Sequence, residues 1–387
     1  MDELDSLPAL LEDIRRQRGV DYSVFVCVNQ PDTWTSDDDM EHRRVSLSNI
    51  ALLETLRRFY PEVQVMDRAT PGRGMGEKEK GVGWARKCLF DSIVAMSGAD
   101  EIIVSLDADT RISDNYLRRL LDTFCLHPDI SALAVPYYHK LDVDEKKDRT
   151  LLRYECYMRH YLIEMMRIAS PYAFTAIGSA MAFTARAYKR VGGMTPLQAG
   201  EDFYLMQKFA KKGHVHQWLE GCDSPDMVDQ IAVFPSGRCS TRVPFGTGPS
   251  VSMPLAVQAE RYPFYASRLF DMVGDTYKLF PCLYEKDMET PMSDFLRRQL
   301  ATDDIWGPMR NNFKKKELFI HACHERVDGL RILQFLKSRY VPESLPEGMP
   351  DFCTAPVEVL NRFRDELVRK EMSLRKQYLC RSVVVIQ

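Results

Sequence analysis

The chain has 387 residues, of which 45% are hydrophobic and 28% charged, and a formal net charge of -3. This is ordinary globular composition with room for a large catalytic domain plus an appendage, and the near-neutral balance argues against broad electrostatic capture of nucleic acid. No apolar run approaches the ~20 residues of a membrane helix, no charged segment followed by an apolar core opens the chain, so no signal peptide is expected, and the 10 cysteines, without a C-x-x-C pair, read as reduced thiols of a cytoplasmic protein.

Leu7 to Arg18 has helical spacing, with Leu7, Leu10, Leu11 and Ile14 on one face, Asp5 or Ser6 as cap and Gly19 as stop. Tyr22 to Val28 is a strand ending at Asn29. An asparagine there can bond a base or sugar, although it is equally at home in a turn. Asp37, Asp38 and Asp39 read as a solvated loop, Ser46 to Phe59 as a helix and Val63 to Met66 as a strand. Pro71 to Gly83 is rich in glycine without the G-x-G-x-x-G spacing of a dinucleotide fingerprint. It runs into a helix at Trp84, and backbone N–H groups at that helix start, with Lys80 and Arg86 close by, suit an anion; a solvated loop is the competing reading.

Ile102 to Leu106 is a short apolar run, read as a buried strand. Asp107 and Asp109 follow at its carboxyl end, where open α/β sheets bind ligands. Two carboxylates so close repel unless a cation or water stands between them, and such a pair plus phosphate oxygens is a usual Mg²⁺ or Mn²⁺ arrangement; a solvated turn accounts for them equally well. A helix over 115–125, a strand over 130–136, an exposed charged stretch over 142–149 and a long helix over 151–168 come next. Ala176 to Phe183, which contains Gly178 and Ser179, mixes small and apolar residues. That suits a strand pressed against a ligand or another backbone. Ala185 to Val191 is a short helix.

Glu201 and Asp202 open a helix running to Lys212. The macrodipole alone favours acids there. Val215 to Leu219 is a strand on which His214 and His216 share a face; a metal role competes with a satisfied pair. Ile231 to Pro235 is a strand, and the glycine-bearing loop after it carries Arg238 and Arg242, whose guanidinium forks suit phosphate oxygens. From about residue 250 helices with aromatic faces take over. Val357 to Tyr378 is the clearest, and its basic face reads as solvated before it reads as a lipid contact. His321, Cys323 and His324 lack a second ligand pair with zinc spacing, and no internal repeat is visible.

Taken together, Ser-Leu-Asp107-Ala-Asp109-Thr, Gly178-Ser179-Ala-Met, Ala-Gly200-Glu201-Asp202-Phe-Tyr-Leu and the Arg238 to Gly248 loop resemble, in that order, the motifs of a family 2 glycosyltransferase. The resemblance covers roughly residues 1–250. It implies an α/β chain of the GT-A fold, with a Rossmann-like, mostly parallel sheet flanked by helices over 1–250 and a mainly helical extension over 251–387. Met1 to Pro8 is similar to the piece that follows the family's first strand, so a sheet without that strand, with one neighbouring edge uncovered, is expected.

The activity implied is inverting transfer of a sugar from a nucleotide-diphosphate sugar, UDP-sugars first, to a hydroxyl of a carbohydrate or lipid-linked acceptor in polysaccharide or glycolipid synthesis. A divalent cation, Mn²⁺ or Mg²⁺, would sit on Asp109 with Asp107 assisting. Asp202 would be the catalytic base and Glu201 its acceptor-side partner. Asn29, Lys80, Arg86, Asp107, Gly178, Ser179, Arg238 and Arg242 would line the substrates. No nucleic acid is expected as partner, and the location implied is cytoplasmic, with peripheral attachment at the inner face of a membrane as a second arrangement. Two other readings compete: a non-catalytic nucleotide-sugar or carbohydrate binder, and a nucleotidyltransferase, which would want a glycine-rich phosphate loop at its first strand.

Overall fold

The computed structural model describes residues 2–142, 144–221, 224–240, 244, 246–342 and 348–381, the side chains of 378–381 excepted. Strands and helices alternate through the first half as the apolar pattern requires. Helix α1 (Leu7–Arg15) buries Leu7, Leu10, Leu11 and Ile14. Strand β1 (Phe25–Asn29) is followed by α2 (Met40–Phe59) and β2 (Gln64–Arg68). Helix α2 begins earlier than its apolar spacing indicates because the Asp39 carboxylate caps it, accepting from the backbone N–H groups of Glu41 and His42 at 2.8 and 3.1 Å. Asp39 is thus exposed, as a solvated loop residue would be, and also caps the helix that follows.

Helix α3 (Val82–Met96), strand β3 (Ile102–Ser105), the two-residue strand β4 (Arg111–Ile112), helix α4 (Tyr116–Leu126) and strand β5 (Ile130–Ala134) come next. Helix α5 (Glu145–Arg167) starts inside the stretch read as exposed. There Asp148 is buried and accepts from the Asp142 N–H at 2.9 Å. Strand β6 (Met181–Thr184), helices α6 (Ala185–Arg190) and α7 (Glu201–Lys212), and strands β7 (His214–His216) and β8 (Val233–Phe234) complete this part.

The fold is mixed α/β, but its sheets are not mostly parallel. Four strands lie in the order β3-β6-β5-β7. In that sheet β6 runs antiparallel to both neighbours, and only β5 and β7 are parallel. The chain re-enters at the end where β5 leaves, with Ala134 beside Met181, and so must run back. One consequence is functional. In register Ser105 of β3 faces Met181 of β6, so the residues just before β6 lie beside the carboxyl end of β3. Strands β1 and β2 form a separate parallel pair, and β4 pairs with β8. Among the described residues, β1 and β3 are each paired along one edge only.

The central strand β6 explains the Ala-rich run of sequence. Ala182 and Phe183 have no exposed surface, and small residues let β3 and β5 close on β6 from both sides. Phe183 is the hub of the layer above. Its ring lies 5.2 Å from that of Phe90 on α3, 5.5 Å from Tyr188 on α6 and 5.2 Å from Phe209 on α7. Each such buried ring contributes about 1.5–3 kcal/mol of apolar burial. The cluster fixes α3 and α7 against the sheet, and those two helices carry Arg86, Glu201 and Asp202.

Packing divides the chain into two units. One comprises Met1–Leu151 and Ala176–Met253, the other Leu152–Thr175 and Pro254–Gln387, so the second takes in part of α5 that a boundary near 250 leaves out. Its described residues beyond 254 form helices, among them Ser267–Leu283, Lys316–Arg326, Gly329–Arg339 and Val357–Arg381, around Phe270, Phe280, Phe319 and Phe335, all fully buried. The last helix, read as a solvated face, also turns charges inward. Arg159 pairs with Glu155 and with Glu371, each at 2.6 Å, Arg375 with Glu371 at 2.8 Å and Arg364 with Glu155 at 3.3 Å, all five side chains 1% exposed or less. No described helix is long and apolar enough to cross a membrane.

Candidate active site

The site is built where β3 ends. Asp107 and Asp109 follow that strand, and the loop before β6 arrives beside them. Ser105 Oγ donates to the Gly178 carbonyl at 2.5 Å. Gly178 has a steric reason to be glycine, since a Cβ there would overlap the guanidinium of Arg86. Arg86, one helical turn before Phe90 on α3, lies against that bare backbone. It forms ion pairs with Asp107 and with Glu201. Glu201 is 3% exposed. Burial by itself would push the Arg86 pKa down, but the charges of Asp107, Glu201 and Asp202 hold it above its ordinary value.

Helix α7 presents Glu201 and Asp202 in its first turn. Gly200 caps it at φ 75, ψ 12, a left-handed conformation that favours glycine. Asp202 accepts from the Phe203 N–H at 2.7 Å. Its pKa is pushed up to about 7, first by burial and then by the neighbouring charge of Glu201, with Arg86 opposing and Asp107 adding to the rise. A carboxyl in that range can hold or release a proton near neutral pH.

Asp109 sits on the other side of Asp107. Its Oδ2 receives Arg238 Nε at 2.8 Å. Burial raises its pKa, and Asp107 and Glu3 add to the rise against the pull of Arg238. Glu3 pairs with Arg238 as well. The site thus runs as one chain of charges, Glu3–Arg238–Asp109–Asp107–Arg86–Glu201–Asp202, in which five carboxylates face two guanidiniums. The surplus is of hard oxygen donors, the ligand type that a divalent cation such as Mg²⁺ or Mn²⁺ takes. Ser179 Oγ is buried beside it with no hydrogen-bond partner, a polar group of the kind that a ligand satisfies.

Of the residues singled out by sequence, the structure brings together Arg86, Asp107, Asp109, Gly178, Ser179, Glu201, Asp202 and Arg238. Asn29 ends β1, buried, with its Nδ2 3.8 Å from Met75 Sδ. Lys80 is exposed and its Nζ is held by Glu77 at 2.6 Å. Among the described residues, no hydrogen bond or ion pair joins either of them to the charge chain. Arg242 lies outside the described residues.

Two participants were missed. Glu3 reaches Arg238 from just ahead of α1. Asp13, 1% exposed, sits on the buried side of α1 and takes Arg111 at 2.6 Å through both oxygens, clamping α1 to β4 two residues beyond Asp109. An acid within an apolar helix stripe was the signal for Asp13. For Glu3, nothing local distinguishes it from other acids near a helix start.

Residues 102–299, just over half of the chain, match the sequence profile described as Glycosyl transferase family group 2. Among curated proteins no sequence matches. Similar solved structures include TarS of S. aureus, at a TM-score of 0.39 and 12% identity over 84% of this chain and 53% of that one. Another is the mannosyltransferase PcManGT of Pyrobaculum calidifontis, solved in complex with GDP-Man and Mn²⁺, at 0.36 and 12% over 98% and 83%. The chain spans about half the length of TarS.

Proposed function

The chain belongs to glycosyl transferase family group 2, and from that premise we propose that it transfers a sugar from a nucleoside diphosphate sugar to a hydroxyl acceptor, with inversion and with a divalent cation. The observation that supports this most is the double ion pair of Arg86, which joins Asp107 at the strand tip to Glu201 at the helix start. That pairing supports a reading in which the strand-tip carboxylates take the diphosphate-bound cation and the helix-start carboxylate next to Glu201 acts as base.

Asp109, with Asp107 assisting, would hold the cation, which when bound supplies positive charge against the leaving diphosphate. Asp202, deprotonated, takes the proton of the acceptor hydroxyl as its oxygen bonds to the anomeric carbon and the carbon–phosphate oxygen bond breaks. A base facing the leaving group dictates in-line attack, hence inversion. Glu201, pinned by Arg86, cannot turn away and orients the acceptor. Arg238, and Lys80 and Arg242 by resemblance, would add positive charge where the diphosphate leaves. The acceptor class proposed is a carbohydrate or lipid-linked hydroxyl.

A thermal-shift panel of UDP- and GDP-sugars with Mn²⁺ identifies the donor, and transfer is then assayed with that donor. Asp202→Asn should bind the donor and lose turnover; near-wild-type turnover would remove Asp202 as base. Donor stabilisation without transfer or hydrolysis in the wild-type protein would mark a non-catalytic binder instead.

A further inference from the structure

A second polar cluster lies away from the charge chain just described. Strand β7 is the edge strand opposite β3 in the four-stranded sheet. Its last residue, His216, is 2% exposed. His127 is the C-cap of α4, and Glu220 lies in the loop after β7. His127 Nε2 is 3.1 Å from Glu220 Oε1, and the rings of His127 and His216 are 4.4 Å apart at their centroids. One ligand atom from each of the three lies within 4.8 Å of the other two.

Each of the three backbones is pinned. His216 is in register with Leu133 of β5. The His127 N–H donates to the Thr123 carbonyl at 3.0 Å. The Glu220 N–H donates to Thr123 Oγ1 at 2.9 Å, and its carbonyl accepts Arg119 Nε at 2.8 Å. Arg119, buried on α4, also binds the carbonyls of Leu219 and Gln230 at 3.1 and 2.8 Å. A loop stapled by one arginine in three places keeps its carboxylate where it is. Such support from rigid elements is what a ligand set requires.

We propose that His127, His216 and Glu220 form a site for a borderline divalent transition ion, with zinc the first expected. Two imidazoles and one carboxylate, with a fourth position left to water, are a recurrent zinc donor set. Imidazole nitrogen favours zinc over Mg²⁺ and Mn²⁺, which carboxylates suit better. Around a tetrahedral ion with bonds near 2.1 Å, ligand atoms stand roughly 3.4 Å apart, so the present spacing closes with about an ångström of side-chain movement. The carbonyl end of α4 adds the negative pole of its dipole beside His127. His214, the other histidine of the strand, stays outside the trio, its ring 6.0 Å from that of His216. An ion there would clip the end of α4, the sheet edge and the following loop together, independently of sugar transfer.

The test uses the full chain, purified without a histidine tag, stripped with chelator and titrated with Co²⁺ and then with Zn²⁺ against a chromophoric chelator. One equivalent of Co²⁺ should give the intense visible bands of four- or five-coordinate cobalt, and Zn²⁺ should displace it. Glu220→Gln and His127→Gln, both at partly exposed side chains, should each weaken binding at least tenfold while the far-UV dichroism stays unchanged. Asp109→Asn should leave the bands intact. Only the weak spectrum of octahedral cobalt, bands that persist in both cluster variants, or bands lost in Asp109→Asn would overturn the site.

Discussion

Asp202→Asn tests the electrostatics of the site without any substrate. The carboxyl is pushed up to about 7 in the folded protein from an ordinary 3.8. A raised pKa means the fold prefers the protonated acid: the stability it contributes is full below 3.8 and is lost as the pH rises through 7. At pH 8 the folded chain must carry an ionised Asp202 beside Glu201. The difference, 7 minus 3.8, at about 1.4 kcal/mol per pKa unit sets that penalty at up to about 4 kcal/mol, a cost borne by the Glu201–Asp202 pair together. At pH 5 the folded group is already protonated, and less than about 2 kcal/mol remains. Asparagine is neutral throughout, so the variant should be more stable than wild type, and more so at pH 8. At roughly 2–4 °C per kcal/mol for a unit of this size, the gain in Tm is on the order of 10 °C at pH 8 and under half of that at pH 5. The assay is thermal denaturation of both proteins at the two pH values in EDTA, which keeps any cation from masking the repulsion. Equal gains at both pH values, or a loss at pH 8, would refute the reasoning.

Other consequences can be measured directly. With the donor in hand, kcat/KM should rise with pH along a limb near 7 as Asp202 ionises, and stopped assays across buffers would locate it. Gly178→Ala drives a Cβ into the Arg86 guanidinium and should lower kcat/KM at least tenfold with the far-UV dichroism unchanged; full activity would show that Arg86 tolerates displacement. Asp109→Asn should abolish the Mn²⁺ dependence of donor binding by calorimetry. In the second unit, Glu371→Gln strips a charge from between Arg159 and Arg375, and a broken buried ion pair costs about 3–5 kcal/mol. Its urea midpoint should fall accordingly.

Local patterns located most helices and strands, though not the short β4 or the early starts of α2 and α5, and they marked the stretches that carry the charge chain. The apolar run before Asp107, the acids opening α7 and the small residues before β6 are each legible because their spacing matches a single element's period or terminus. Helix α7 runs from Glu201 to Lys212 as its pattern indicates. What one stretch of chain cannot carry is the direction of a strand set by its neighbours or the partner of a buried charge. The antiparallel entry of β6 set Gly178 beside Asp107, α3 laid Arg86 between Asp107 and Glu201, and Glu3 met Arg238 across 235 positions of sequence. Desolvation and charge at close range turned an ordinary aspartate at a helix start into an acid titrating near neutrality, and those forces act only after residues distant in sequence have been packed together.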